Sequence, residues 1–200
     1  MAITDNFCSM MQLANVAVIQ PGYLSRTSVE SVPSGTHWLL QAKDVTLQHG
    51  LRFENAARFE PERNPDLYRV SRGDILLVAR GQNHRVCLID VCLTNVLASS
   101  VFYIIRPREG IVPGYLAWWL NQPDAQAILE SASSGAVIGY IARSVVECIP
   151  VAVPPLDVQH RIVETLDLWR QQQSAQERLD QKREQLIQTI CRQAVGLKKE

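Results

Sequence analysis

The chain has 200 residues and a mass of 22.5 kDa, which suits one ordinary domain with an appendage rather than two full domains. Hydrophobic residues make up 46% and charged residues 20%, which excludes a disordered polar chain, and apolar runs such as Ile75 to Ala79 fall far short of the roughly 20 residues that span a bilayer. Twenty Lys+Arg balance 20 Asp+Glu, so the chain has no global basic field of the kind that marks many nucleic-acid binders.

Asp5 stands where a signal peptide would be basic, and no apolar core with a small-residue cleavage site follows, so a cytoplasmic protein is expected. Val16 to Ile19 predicts a short strand ended by Pro21-Gly22. His37 to Ala42 predicts a second, closing at Lys43-Asp44. Gly50 to Asp66, mixing Arg, Glu, Asn and Pro with scattered Phe, has the composition of a surface loop or irregular arm. Alternation from Tyr68 through Val70 leads into the turn cluster Ser71-Arg72-Gly73-Asp74. The continuous run Ile75 to Ala79 then predicts a strand buried on both faces. Arg80-Gly81-Gln82-Asn83 is a polar loop, and Val86 to Val91 and Ser99 to Ile105 repeat the strand pattern up to Pro107. Three strands joined by short links predict an antiparallel or mixed sheet.

After Pro113-Gly114 the period becomes helical, with Tyr115, Leu116, Trp119 and Leu120 on one face. A second helix begins at Pro123, carries Ala125, Ile128 and Leu129 inward, and stops at Ser133-Ser134-Gly135. Ile138 to Ile141 and Cys148 to Val153 return to strand character, ended by Pro154-Pro155. From Leu156 onward there is no proline, and Gly196 is the sole glycine. Leu156, Ile162, Leu166, Trp169, Leu179, Leu186 and Ile190 recur at helical spacings, with Gln171 to Gln173, Glu177, Arg178, Lys182, Arg183 and Glu184 on the other faces. A helix from Asp157 to Gln193 would extend over about 50 Å and needs a partner surface for its apolar seam. The seam thins around Gln172 to Gln176, where a Gln layer could set register. The expected architecture is α+β: a mixed or antiparallel-sheet domain over 1–153 and a long helical stalk over 154–200.

The residues carry no catalytic constellation. Neither G-x-S-x-G, a Walker A loop nor G-x-G-x-x-G is present. The five cysteines, Cys8, Cys87, Cys92, Cys148 and Cys191, are scattered and expected to be reduced, buried thiols. The four histidines, His37, His49, His84 and His160, stand alone, so no metal site is expected. Among the 20 cations only Lys43, Lys182, Lys198 and Lys199 are lysines; the rest are arginines, the side chain suited to bidentate contacts with guanine edges and phosphates. Arg80-Gly81-Gln82-Asn83 joins one guanidinium to two amides, and Ser133-Ser134-Gly135 with Tyr140 and Arg143 forms a second small, polar segment able to approach a phosphate backbone. Taken alone, the first segment reads more readily as a solvated hairpin loop and the second as a helix stop and turn.

Val151-Ala152-Val153-Pro154-Pro155-Leu156-Asp157-Val158-Gln159-His160-Arg161-Ile162-Val163, with Tyr68-Arg69-Val70-Ser71-Arg72-Gly73-Asp74-Ile75-Leu76 upstream, closely resembles the specificity subunits of type I restriction-modification systems. In that family a P-P-L-x-x-Q-x-x-I passage ends each target recognition domain and opens a long helix, and a G-D-I-L strand lies inside the domain. The similarity runs from about Leu13 to Ile190. It implies a non-catalytic subunit with no cofactor of its own, the adenosylmethionine site belonging to a methyltransferase partner. Such subunits usually carry two recognition domains and two antiparallel helices, so the present sequence resembles a half-subunit.

The resemblance implies as partners double-stranded DNA, a second copy of the chain, the methyltransferase subunit and the restriction or translocase subunit. A homodimer through Leu156, Ile162, Leu166, Trp169, Leu179, Leu186 and Ile190 would read a bipartite inverted repeat. The expected DNA contacts are Lys43, Arg80, Gln82, Asn83, Arg85, Ser134, Tyr140 and Arg143. An alternative is an interaction or anti-restriction module that captures a methyltransferase without reading DNA.

Overall fold

A computed structural model describes residues 8–25, 32, 34–46, 50–51, 56–81, 83–133 and 139–195. Its elements in chain order are β1 (Ser9–Gln12), α1 (Leu13–Val16), β2 (Ala17–Pro21), β3 (His37–Leu40), β4 (Val45–Thr46), β5 (Gly50–Leu51), β6 (Ala57–Phe59), β7 (Ile75–Val78), β8 (Val86–Leu88), β9 (Val96–Ala98), β10 (Phe102–Pro107), α2 (Pro113–Leu120), α3 (Pro123–Ser133), α4 (Arg143–Glu147), β11 (Pro150–Val153) and α5 (Leu156–Ala194). Single 3-10 turns lie at Ala42–Asp44 and Asp66–Tyr68. The chain divides into two compact units, Met1–Gln159 and His160–Glu200.

In the first unit the central sheet runs in the order β2-β10-β7-β8, every neighbour antiparallel. The continuous apolar run of β7 is explained by its place: alternate side chains enter two different cores. Ile75 and Leu77 join Ile19, Tyr103 and Ile105 under a helical layer that supplies Leu116, Leu120, Leu129 and Val146. Leu76 and Val78 join Phe102, Ile104 and Cys87 against Leu40, Val96 and Ala98 of a second sheet. That second sheet runs β6-β3-β9, antiparallel between β3 and β6 and parallel between β3 and β9. The helices, the central sheet and the second sheet therefore form three layers. Gly22 sits where the chain leaves β2; a Cβ there would overlap the Ser99 carbonyl oxygen, so only glycine allows this close pass.

The family-like motifs prove to be structural. Asp74 is buried and accepts from the Ser71 N–H at 3.0 Å, while Arg106 Nε approaches its Oδ1 at 3.3 Å. Gly73 has φ +95°, a turn conformation that frees the chain to start β7 directly behind it. Gln159 is fully buried. Its Oε1 accepts from the Val112 N–H at 2.8 Å, and its Nε2 donates to the Pro154 and Gly110 carbonyls at 2.9 and 3.1 Å. The glutamine of P-P-L-x-x-Q thus ties the root of α5 to the segment that opens α2. At the sheet's edge, Asn121 takes the part of a missing strand. Its Nδ2 donates to the Val86 carbonyl at 2.9 Å and its Oδ1 accepts from the Val86 N–H at 3.3 Å, which blunts the open side of β8.

Several expectations need correction. Residues 13–16 form a helical turn ahead of β2, because Leu13 and Val16 are both needed inward. Gly50 to Asp66 is not wholly irregular: β5 and β6 lie within it, and Phe59 and Tyr68 pack edge-on against Tyr23. Tyr68 to Val70 is a 3-10 turn and an isolated bridge from Arg69 to Leu97, not a strand. β1, β9 and α4 were missed, and near Ile138 to Ile141 the described residues hold only a bridge from Tyr140 to Arg80. These pieces are too short to carry a period of their own, and pairing with distant segments decides them.

The cysteines also depart from expectation. Cys87 alone is buried, and Cys8, Cys92, Cys148 and Cys191 are exposed. Burial, then the neighbouring Asp90 carboxylate, pushes the Cys87 thiol up to about 11. Because only the thiolate is nucleophilic, iodoacetamide at pH 8 is expected to label the exposed thiols of the native protein and reach Cys87 only after unfolding. Peptide mass spectrometry reads the difference, and early labelling of Cys87 would contradict it.

Candidate nucleic-acid interface

Strand register gathers the candidate residues at one end of the sheets. Val78 pairs with Phe102, Tyr103 with Pro21 and Leu77 with Val86, so β7 and β2 finish where β10 and β8 begin. The parallel strands β3 and β9 finish at the same end, for Leu40 pairs with Ala98 and its carbonyl accepts from the Ser99 N–H at 3.0 Å. Lys43 follows β3 on its 3-10 turn, while Arg80, Asn83 and Arg85 lie between β7 and β8; Lys43, Arg80 and Asn83 are exposed and Arg85 is half-buried.

In the connection from β7 to β8, the described residues on either side of position 82 are held by hydrogen bonds. The Ala79 N–H donates to the Val101 carbonyl at 2.7 Å and the Val78 N–H to the Arg85 carbonyl at 2.9 Å. His84 turns inward, is buried, and places Nδ1 3.1 Å from the Val78 carbonyl oxygen. Gln126 Nε2 donates to the His84 carbonyl at 3.1 Å. Gly81 has φ +106° with open space around it, so backbone conformation, not crowding, demands glycine there. Arg80 is therefore presented from a set backbone.

Residues 139–141, around Tyr140, lie against residues 79–81. The Gly81 N–H donates to the Gly139 carbonyl at 2.9 Å and the Ile141 N–H to the Ala79 carbonyl at 3.0 Å, clasping the two stretches. The Arg80 guanidinium stands 5.4 Å from the centre of the Tyr140 ring. An exposed cation–π contact contributes only about 0.5–1 kcal/mol, which biases the Arg80 orientation without locking it. The Tyr140 hydroxyl lies 2.7 Å from that of Tyr103, which donates to the Ile141 carbonyl at 2.9 Å. Arg143 opens α4 and pairs through Nε with Glu147 Oε1 at 2.7 Å, a partly exposed contact of little energetic weight. Arg85 Nε is buried and has no hydrogen-bond partner among the described residues.

Arg80 and Tyr140, predicted from two separate segments, are thus brought to one surface, and Arg143 follows Tyr140 by three residues at the start of α4. Lys43 shares that end of the sheet on a different element. Gln82 and Ser134 lie outside the described residues. Tyr103 and His84 were missed: a tyrosine inside a strand and a histidine after a polar run carry no sequence signal that separates site from core. Among the described residues no group of His, Cys, Asp or Glu is arranged to hold a metal, and no helix is long and apolar enough to cross a membrane.

The second unit consists of α5 beyond Gln159. The helix has 39 residues in all, or about 58 Å at 1.5 Å per residue. Ile162 and Leu166 are half-buried, whereas Leu156, Trp169, Leu179, Leu186 and Ile190 are exposed. Leu168 and Ile187, absent from the predicted seam, are exposed as well. The apolar positions fall into two groups, 162–169 and 179–190, separated by Gln171, Gln172, Gln173 and Gln176 near the helix midpoint.

No known family profile matches the chain. It is 24% identical over 166 residues to the specificity subunit of the type I restriction enzyme EcoEI of Escherichia coli, covering 76% of this chain and 27% of that protein. Its fold matches the HsdS subunit of Thermoanaerobacter tengcongensis with a TM-score of 0.64 and 19% identity, over 90% of this chain and 41% of the other. It matches the S subunit of a type I restriction-modification system from M. genitalium with a TM-score of 0.58 and 14% identity, over 86% and 41%. A chain from a study of complex assembly and conformational transition in the type I system gives a TM-score of 0.68 and 19% identity, over 95% and 45%. The chain therefore spans about a quarter of the curated relative and under half of each solved one. The resemblance to type I specificity subunits holds in sequence and in fold, and the α+β domain with its long C-terminal helix is the shared part.

Proposed function

We propose that this chain is a specificity subunit of a type I restriction-modification system, in which one recognition domain reads half of a bipartite DNA site and α5 pairs with a second copy. The methyltransferase subunit docks on the paired helices, and the restriction or translocase subunit joins the larger assembly. All bond-making and bond-breaking belong to those partners; this chain binds and positions. The single observation that carries the reading is the shared fold over nearly the whole chain, with Arg80 and Tyr140 drawn together at one end of its sheet. Domain bounds of 1–153 and 154–200 follow from the same reading, the double proline marking the change from reader to spacer.

Formal neutrality gives the chain no net electrostatic attraction to a polyanion, so phosphate contacts added by the partner subunits would raise affinity. An electrophoretic shift is expected with the methyltransferase subunit present and to be weak without it. Arg80→Ala is expected to reduce preference for the cognate site by about tenfold or more, as loss of one base contact does. Binding of the methyltransferase subunit with no sequence preference would instead identify a module that captures that subunit as a decoy. Methylation mapping in a host carrying the cognate subunits gives the site and whether it is an inverted repeat.

A further inference from the structure

Tyr140 offers more than a platform for Arg80. A phenol has one proton to donate and lone pairs to accept with. Tyr103 is 1% exposed, and its hydroxyl donates to the Ile141 carbonyl oxygen at 2.9 Å, a group that can only accept. Its one proton is committed there. The 2.7 Å contact between the two hydroxyls must then use the Tyr140 proton. Burial pushes the Tyr103 phenol up, so it keeps the proton it donates to Ile141. Toward solvent, Tyr140 is left with lone pairs alone. Arg80 beside it has only donors.

Resting on the DNA-reading proposal above, we infer that Arg80 and Tyr140 together take the major-groove edge of an adenine, Arg80 donating to N7 and Tyr140 accepting from the N6 amino group. Arg80 by itself would favour guanine, whose N7 and O6 both accept. With Tyr140 in place, O6 of guanine would meet an oxygen that has no proton to give. Thymine presents an acceptor and a methyl group, and cytosine only a donor. Both side chains are open to a ligand, Arg80 being exposed and Tyr140 43% exposed. Tyr140 is thereby a specificity-determining residue and Tyr103 a positioning residue that acts through it.

The test is selection from randomised duplexes by the full chain with its methyltransferase subunit. Duplexes follow in which the selected adenine is replaced by purine, lacking the amino group, or by 7-deazaadenine, lacking N7. Each replacement is expected to weaken wild-type binding roughly tenfold. Tyr140→Phe should bind adenine and purine alike while still rejecting 7-deazaadenine. Tyr103→Phe releases the Tyr140 proton to face outward and should move the preferred base at that position toward guanine. The two variants reach the same comparison independently, so misfolding of one, seen in its melting curve, leaves the other decisive. Specific wild-type binding with an adenine-to-purine ratio unchanged in both variants overturns this assignment and leaves DNA reading intact. A wild-type complex that enriches no sequence overturns both.

Discussion

Combining Leu179→Lys, Leu186→Lys and Ile190→Lys is expected to convert a dimer of the 22.5 kDa chain into monomer at micromolar concentration, as read by light scattering. All three side chains are exposed on α5. Burying a leucine or isoleucine side chain stabilises by about 1.5–3 kcal/mol. Three such residues in each of two copies outweigh the roughly 8 kcal/mol that defines a micromolar complex, before the repulsion of added charge is counted. The pattern along the helix favours an antiparallel pair. Gln171, Gln172, Gln173 and Gln176 lie near the midpoint, so a two-fold axis there brings the polar block against itself and sets 162–169 of one copy against 179–190 of the other. A parallel pair would instead stack each group on its own counterpart. Wild-type chain that stays monomeric at these concentrations removes the proposed pairing.

Gln159→Ala is expected to destabilise the first unit by about 3 kcal/mol and lower its melting temperature by roughly 6–12 °C in calorimetry. The amide makes three hydrogen bonds, to Val112, Gly110 and Pro154, from a fully buried position. Truncation leaves the Val112 N–H without its acceptor, and an unsatisfied buried backbone group is what makes such losses large. Gln159→Glu tests the geometry further. It keeps an acceptor for Val112 but turns the donor toward Pro154 and Gly110 into an oxygen facing two carbonyl oxygens, so it should melt lower still. A shift of a degree or less in both variants would mean that the latch is redundant.

Patterns that live within a few residues were legible in advance. The run Ile75 to Ala79 announced a strand with two buried faces, and the structure places it between two cores. Pro123 marked the first residue of α3, where a missing N–H costs nothing, and the helical period after Pro113-Gly114 marked α2, which takes in both residues. The proline-free tract after Pro155 became a single helix from Leu156 to Ala194. The fragments β1, β6 and β9 escaped because three or four residues cannot display a period, and each exists through a partner far away: Ser9 with Val153, His37 with Phe59, Leu39 with Leu97.

The candidate surface divides along the same line. Its residue types were visible, since Arg80, Tyr140 and Arg143 stood out as polar groups in loop-like stretches. Their meeting was not, because some 60 residues separate Arg80 from Tyr140 and only the clasp between Ala79–Gly81 and Gly139–Ile141 joins them. The direction of the Tyr140 proton depends on Tyr103 and on the Ile141 carbonyl, and so on strand register. Likewise P-P-L-x-x-Q marked where α5 begins, while the reason for its glutamine lay in Val112 and Gly110. Composition and periodicity by themselves determined the class, the long helix and the polar and apolar residue types along it and in the loops, because side-chain chemistry and turn geometry act locally. Which of those residues share a surface was decided by tertiary structure alone, because hydrogen bonds and ring contacts act over a few ångströms and take no account of distance along the chain.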